Sequence, residues 1–152
     1  MPAYTVTLPV AAEPAHVWAF VNDYANWADL FPGYQGHRLA PDGRSVWTIK
    51  GDLGMFARLV EVEVGVIVGD GSEGARFTVK GLTEKVQAEG AFLTRPLGPG
   101  RAELTFVLDV RAGGAMAPMI NALLRPALPR MMEGFARSLV TRIESGEVEV
   151  PG

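Results

Sequence analysis

Cysteine is missing from the 152-residue chain. That excludes disulfides, a thiolate nucleophile and thiolate-held zinc or iron–sulfur centres. Histidine occurs only at His16 and His37, too few for a histidine-rich metal site, so no metal and no cofactor is expected. Basic charge is also scarce: 14 Lys and Arg stand against 17 Asp and Glu, a net charge of −3. No broad positive surface is available to hold a phosphate backbone, and no nucleic-acid partner is expected. No uncharged apolar run reaches the roughly 18–20 residues that span a bilayer. The N-terminal stretch lacks a basic region and is broken by Pro2, Pro9 and Pro14, and ESGEVEVPG at the other end carries no lipidation signal. The expected location is therefore cytoplasmic. What is present is a globular composition, 48% apolar and 20% charged, in a length suited to one domain over 1–152 with its core at about 3–145.

The hydrophobic period changes twice. Tyr4–Val10 alternates and reads as a strand. Glu13–Asn22 reads as a helix with Pro14 in its first turn and Val17, Trp18, Phe20 and Val21 as its apolar stripe. A second short helix, Tyr24–Leu30, stops at Pro32-Gly33. Strands follow at about 34–40, 45–51, 55–69, 74–82, 85–97 and 101–111, joined by short polar or glycine-rich turns that suit antiparallel hairpins. From Ala115 to Ser145 the spacing is helical, opened by Gly113-Gly114 and closed by Gly146 at the place of a left-handed cap. Pro126 and Pro129 each remove a backbone donor, so a bend or split near Leu124–Ala127 is expected. A sheet of seven strands curls and has one face to bury. The fold class is α+β: a curved seven-stranded antiparallel sheet wrapped around a long C-terminal helix, with two short helices after the first strand.

That order of elements resembles the START-like helix-grip superfamily, also called the SRPBCC or polyketide cyclase/dehydrase group, over nearly the whole chain. Ala15-His16-Val17-Trp18-Ala19-Phe20 is similar to the family's first helix, and Trp27-Ala28-Asp29-Leu30-Phe31-Pro32-Gly33 to its helix-then-Pro-Gly join at the cavity mouth. Gly51-Asp52-Leu53-Gly54-Met55-Phe56 and Gly113-Gly114-Ala115-Met116 resemble the branch that takes its name from carbon monoxide dehydrogenase. The resemblance implies a helix-grip fold with a cavity for a hydrophobic molecule. At branch level it implies an accessory factor of a carbon monoxide dehydrogenase-like system.

The residues offer little for catalysis. No Ser-His-Asp order or G-x-S-x-G elbow is legible, and no glycine run has dinucleotide-binding spacing. Glu61 and Glu63 alternate with valines and belong to a solvated sheet face. No catalytic residue is assigned. An aromatase/cyclase-like enzyme would need an inward acid–base pair, for which His37 with Asp23 or Tyr34 are the available groups.

Binding is the better-supported chemistry. Strand parity turns Trp47, Ile49, Phe56, Arg58, Val60, Val62, Val64, Phe77, Val79, Val86, Ala88, Gly90, Phe92, Leu104, Phe106 and Leu108 inward. The last helix adds Met116, Met119, Ile120, Leu123, Met131, Met132 and Phe135. Most of these fill a core. Ala88 and Gly90 are too small to reach the helix, and methionines adapt to varied apolar guests. The mouth is expected near Trp27, Phe31, Pro32 and Tyr34, facing Met116–Leu124, with transient membrane or partner-protein contact at its rim. Arg58, placed inward by parity, either pairs with a ligand oxygen or snorkels to the rim. The ligand-binding set is thus Trp27, Phe31, Tyr34, Trp47, Phe56, Arg58, Phe77, Phe92, Phe106, Met116, Met119, Ile120, Leu123, Met131 and Phe135. The expected role is non-enzymatic binding or carriage of a lipid, isoprenoid or quinone.

Overall fold

A computed structural model describes residues 3–52, 57–68 and 74–146. Its elements run β1 (Ala3–Val10), α1 (Pro14–Val21), two 3-10 turns (Tyr24–Asn26 and Ala28–Leu30), β2 (Tyr34–Leu39), β3 (Ser45–Asp52), β4 (Ala57–Val68), β5 (Gly74–Gly81), β6 (Val86–Gly98), β7 (Arg101–Ala112) and α2 (Ala117–Ser145). All seven strands join one antiparallel sheet in the order β1-β7-β6-β5-β4-β3-β2. The alternation in the sequence becomes a two-faced sheet. On β7 Ala102, Leu104, Phe106 and Leu108 are buried, while the residues between them are partly exposed. Register carries this face across the sheet, with Val6 opposite Phe106 and Phe106 opposite Phe92. On the outer face Arg38 pairs with Glu61 at 3.3 Å and Arg44 with Glu63 at 3.0 Å, the solvated side expected for those two glutamates.

The helix lies in the concave face of the curved sheet. Its C-terminal half packs down on β1 and β7, burying Met132, Phe135, Ala136, Leu139 and Ile143. Polar clasps fix the same half. Glu144 accepts the Ala11 amide at 2.8 Å. The Arg142 guanidinium grips Asp29 at 2.7 and 3.0 Å and also donates to the Asn26 carbonyl at 3.1 Å. Gly146 closes the helix at φ 70°, the left-handed cap its position suggests.

Two local expectations need correction. Pro126 and Pro129 do not split the helix, which runs unbroken over 29 residues. The carbonyls that lose an amide partner belong to Ala122 and Arg125, both exposed residues where water can take them. The buried side chains on either side, Leu124, Leu128 and Met132, hold the helix course. In α1, Val17, Phe20 and Val21 are buried but Trp18 is only partly so. At 100° per residue it falls on the flank of the stripe.

Candidate functional site

Away from its packed half, α2 stands off β3, β4 and β5. The gap is a cavity of about 630 Å³, within the 300–1,000 Å³ common for small-molecule sites. Its floor is aromatic. Phe92 stacks on Phe106 with ring centroids 5.0 Å apart, and Phe77 stacks on Phe106 at 6.2 Å. Trp27 lies across them, 5.0 Å from Phe92 and 5.6 Å from Phe77, and Phe135 approaches Phe106 at 5.0 Å. The walls are apolar: Ile49, Val60, Val62, Val64, Val79, Val86, Ala88, Leu108 and Val110 from the sheet, and Ile120, Leu124, Leu128, Met131 and Met132 from the helix. Polar groups gather at the rim. Gln35, Lys50, Asp52, Glu84 and Lys85 line it together with the backbone of Gly33, Gly51, Gly113 and Gly114.

Among the residues expected to bind, Trp27, Phe31, Trp47, Phe77, Phe106, Met116, Ile120, Met131 and Phe135 line this cavity. Others do not. Trp27 itself is at the floor, 1% exposed, instead of at the mouth. The 3-10 turns on either side tuck it inward, and its indole nitrogen donates to the Val21 carbonyl at 3.0 Å. Phe92 is wholly buried beneath Trp27 and Phe106 and does not reach the lining. Met119 and Leu123 fall outside the lining because α2 presents the 116–120–124–128 row to the gap; Met119 is 40% exposed. Phe56 lies outside the described residues.

Arg58 is also corrected. It is absent from the lining, its side chain is 55% exposed, and it forms an ion pair with Glu84 at the mouth. Strand parity alone points it inward. At the second residue of β4 the sheet ends, and the long side chain reaches the rim instead. Gly90 is corrected too. A Cβ there would come within 2.1 Å of the Phe77 ring, so the space at this glycine is taken by its cross-strand neighbour. Ala88, two residues earlier on the same face, does line the cavity.

Tyr34 donates to or accepts from His37 Nδ1 at 2.5 Å, and both rings pack on Trp47. Neither residue lines the cavity, and His37 is exposed. Burial of the Tyr34 phenol, with the Asp29 charge nearby, raises its pKa above the ordinary value and keeps it protonated. Asp23 is engaged elsewhere, accepting the Ala25 amide at 3.0 Å. The inward acid–base pair that an enzyme would need is therefore not built from these three groups. Among the described residues no group of three or more His, Cys, Asp or Glu could hold a metal ion, and no helix is long and apolar enough to cross a membrane.

Sequence patterns do not reveal the polar rim, and strand parity passes over the deep helix row Leu124–Leu128. Lys50, Asp52, Glu84 and Lys85 sit at strand ends and turns, where hydrophobic period carries no signal. Leu124 and Leu128 do carry one, since they continue the four-residue step from Met116 and Ile120.

A family model described as polyketide cyclase / dehydrase and lipid transport matches residues 1–144. Solved structures share the fold. A conserved protein from Geobacillus kaustophilus superposes with a TM-score of 0.77 at 14% identity, covering 95% of this chain and 96% of that one. Zhui aromatase/cyclase from a Streptomyces species gives 0.62 at 16% identity, covering 99% and 98%. A START superfamily protein from Mycobacterium smegmatis gives 0.60 at 19%, covering 94% and 97%. No curated protein matches the sequence.

Proposed function

The chain belongs to the polyketide cyclase/dehydrase and lipid transport family, and from that premise we propose that it binds and carries a hydrophobic small molecule in the gap between the sheet and α2. The observation that carries this reading is the apolar cavity of about 630 Å³, walled by valines, Ile49, Ala88 and the helix row Ile120–Leu124–Leu128. Burial of apolar surface there supplies roughly 25 cal/mol per Å². The interior walls offer no polar side chain to a guest, so orientation comes from the rim. A lipid, an isoprenoid or a quinone suits that division of an apolar body and a polar end.

The branch-level reading, an accessory factor of a carbon monoxide dehydrogenase-like system, rests on Gly51-Asp52 and Gly113-Gly114-Ala115-Met116. Both segments stand at the cavity rim; Leu53–Phe56 of the first motif lie outside the described residues. Contact with a membrane or partner at this rim is part of the same proposal, because Met116 and Met119 expose 44% and 40% of their surface beside it. A cyclase-like enzyme would work in the same cavity, but Tyr34 and His37 stand outside it.

The test is native mass spectrometry of freshly purified protein, paired with organic extraction. A co-purifying apolar compound, or saturable uptake of one by stripped protein, is the expected result. Protein that takes up no apolar compound under any of these conditions overturns the reading.

A further inference from the structure

We propose that Trp27 and the rings around it form an end stop, so that the cavity selects amphiphiles by the length of their apolar chain. This deepens the carriage reading and rests on it. Depth in the cavity follows from strand register. On β6 and β7, Ala88 stands opposite Val110, Gly90 opposite Leu108 and Phe92 opposite Phe106. The first pair lies nearest the mouth, where Val86 and Gly113 continue the lining. At the second pair the Phe77 ring takes the space over Gly90. The third pair is the aromatic stack, with centroids 5.0 Å apart. Side chains thus grow with depth. The helix lines the same path from Met116 to Leu128, a span of about 18 Å at 1.5 Å per residue.

Trp27 closes this path and is held from every side. Four rings surround it, Trp47, Phe77, Phe92 and Phe135, with centroids between 5.0 and 6.1 Å away. Phe92 beneath it is wholly buried, so the lining ends at Trp27 and Phe106. The indole nitrogen donates to the Val21 carbonyl at 3.0 Å in a buried hydrogen bond. The turn that carries the ring is tied in both directions. The Asn26 side-chain amide donates to the Phe20 carbonyl at 3.1 Å, and Arg142 of α2 donates to the Asn26 carbonyl at 3.1 Å and grips Asp29. A guest that pushed the indole aside would break a buried hydrogen bond and unpack close-set rings.

The side wall differs from the end wall. It is made of Ile120, Leu124 and Met131 on the helix side, and methionine is the more adaptable kind of wall. Width can therefore adjust to a guest while depth cannot. Each methylene that a guest buries adds about fourfold in affinity, from roughly 0.8 kcal/mol per methylene. The gain stops when the chain end meets Trp27, because any further methylene stays in water at the mouth. The volume sets an outer bound. At the ~30 Å³ that one water molecule occupies in the liquid, the cavity of about 630 Å³ holds no more than roughly 20 non-hydrogen atoms.

The experiment takes the straight-chain primary alcohols from hexan-1-ol to octadecan-1-ol, each competing against the neutral fluorophore N-phenyl-1-naphthylamine. The readout is the affinity ratio of successive alcohols within one protein, which cancels any general loss of affinity. In wild type the ratio is expected to be about fourfold per carbon and then to fall to one at a break within the series. Trp27→Phe removes part of the end wall and should move the break to a longer chain, so the first alcohol past the wild-type break gains about fourfold over its predecessor. Leu108→Phe adds a ring one strand pair nearer the mouth and should move the break to a shorter chain. It opens no buried space, so it decides the matter alone if Trp27→Phe does not fold. A ratio that stays near fourfold to the end of the series in wild type, or a break at the same carbon in wild type and the folded variants, overturns the end stop while leaving apolar carriage intact. If neither the fluorophore nor any alcohol binds wild type, both readings fall.

Discussion

The two halves of α2 are built from similar residues and do opposite things. The C-terminal half is a structural pin: Leu139 is 0% exposed and Ile143 1%, and Arg142 and Glu144 tie it to the chain at Asp29 and Ala11. The N-terminal half is a cavity wall. Its Met116, Ile120 and Leu124 face a gap, and Met119 faces water. Among the described residues no side-chain hydrogen bond ties residues 116–130 to the sheet. One helix therefore divides its work by distance from the sheet, and its anchored end leaves the other end free to line a pocket. The same contrast repeats on β6, where Gly90 is filled by Phe77 and Ala88 opens into the cavity.

The largest effect should come from the pin. Leu139→Ala removes a fully buried side chain and is expected to cost about 2–5 kcal/mol in urea unfolding. Ile120→Ala, on a wall that already borders empty space, should cost well under that figure. Equal losses would erase the distinction between the halves.

The β6 pair sharpens it at one strand. Gly90→Ala drives a methyl into the Phe77 ring and is expected to destabilise by about 1–3 kcal/mol. Ala88→Leu, on the same face, puts its added carbons into the cavity. It should leave stability unchanged or raise it by about 0.5–2 kcal/mol while weakening uptake of an apolar probe about tenfold or more. Thermal unfolding and probe titration on the two variants read both predictions.

The smallest effect belongs to the Asp29–Arg142 clasp. The hydrogen bonds and charge of Arg142 hold the Asp29 carboxyl below its ordinary value of 3.8. A depressed folded-state value contributes stability at pH above the unfolded value, and that contribution is lost as pH falls through the folded one. The Asp29 side chain is 57% exposed, so solvent screens the pair and the contribution is at most about 1 kcal/mol. Asp29→Asn should lower stability slightly at neutral pH and show no difference from wild type in strong acid. A difference that persists in acid would assign the effect to packing and not to charge.

Much of this architecture is legible in the residues. Alternation on the β7 segment and the four-residue steps of α2 each depend on neighbours a few positions apart, and both emerge where the pattern places them. What is not legible depends on distance across the fold. Parity gives the inward face but not how far the opposing helix stands, so Phe92, packed under Trp27, and Phe106, lining the gap, look alike in sequence. Gly90 and Ala88 look alike for the same reason until Phe77 is placed. Arg58 obeys strand parity only where a strand has neighbours on both sides of the residue. Pro126 and Pro129 predict a break from local bonds alone, and the burial that keeps the helix continuous lies outside that window.

The central claim is that the space beneath the N-terminal half of α2 is open to an apolar guest. Titration of N-phenyl-1-naphthylamine into wild type and Ala88→Leu tests it most directly. Saturable binding at one site in wild type, lost in a variant that unfolds at the same or a higher temperature, is the predicted result. No saturable binding in wild type, or equal binding in the filled variant, would contradict it.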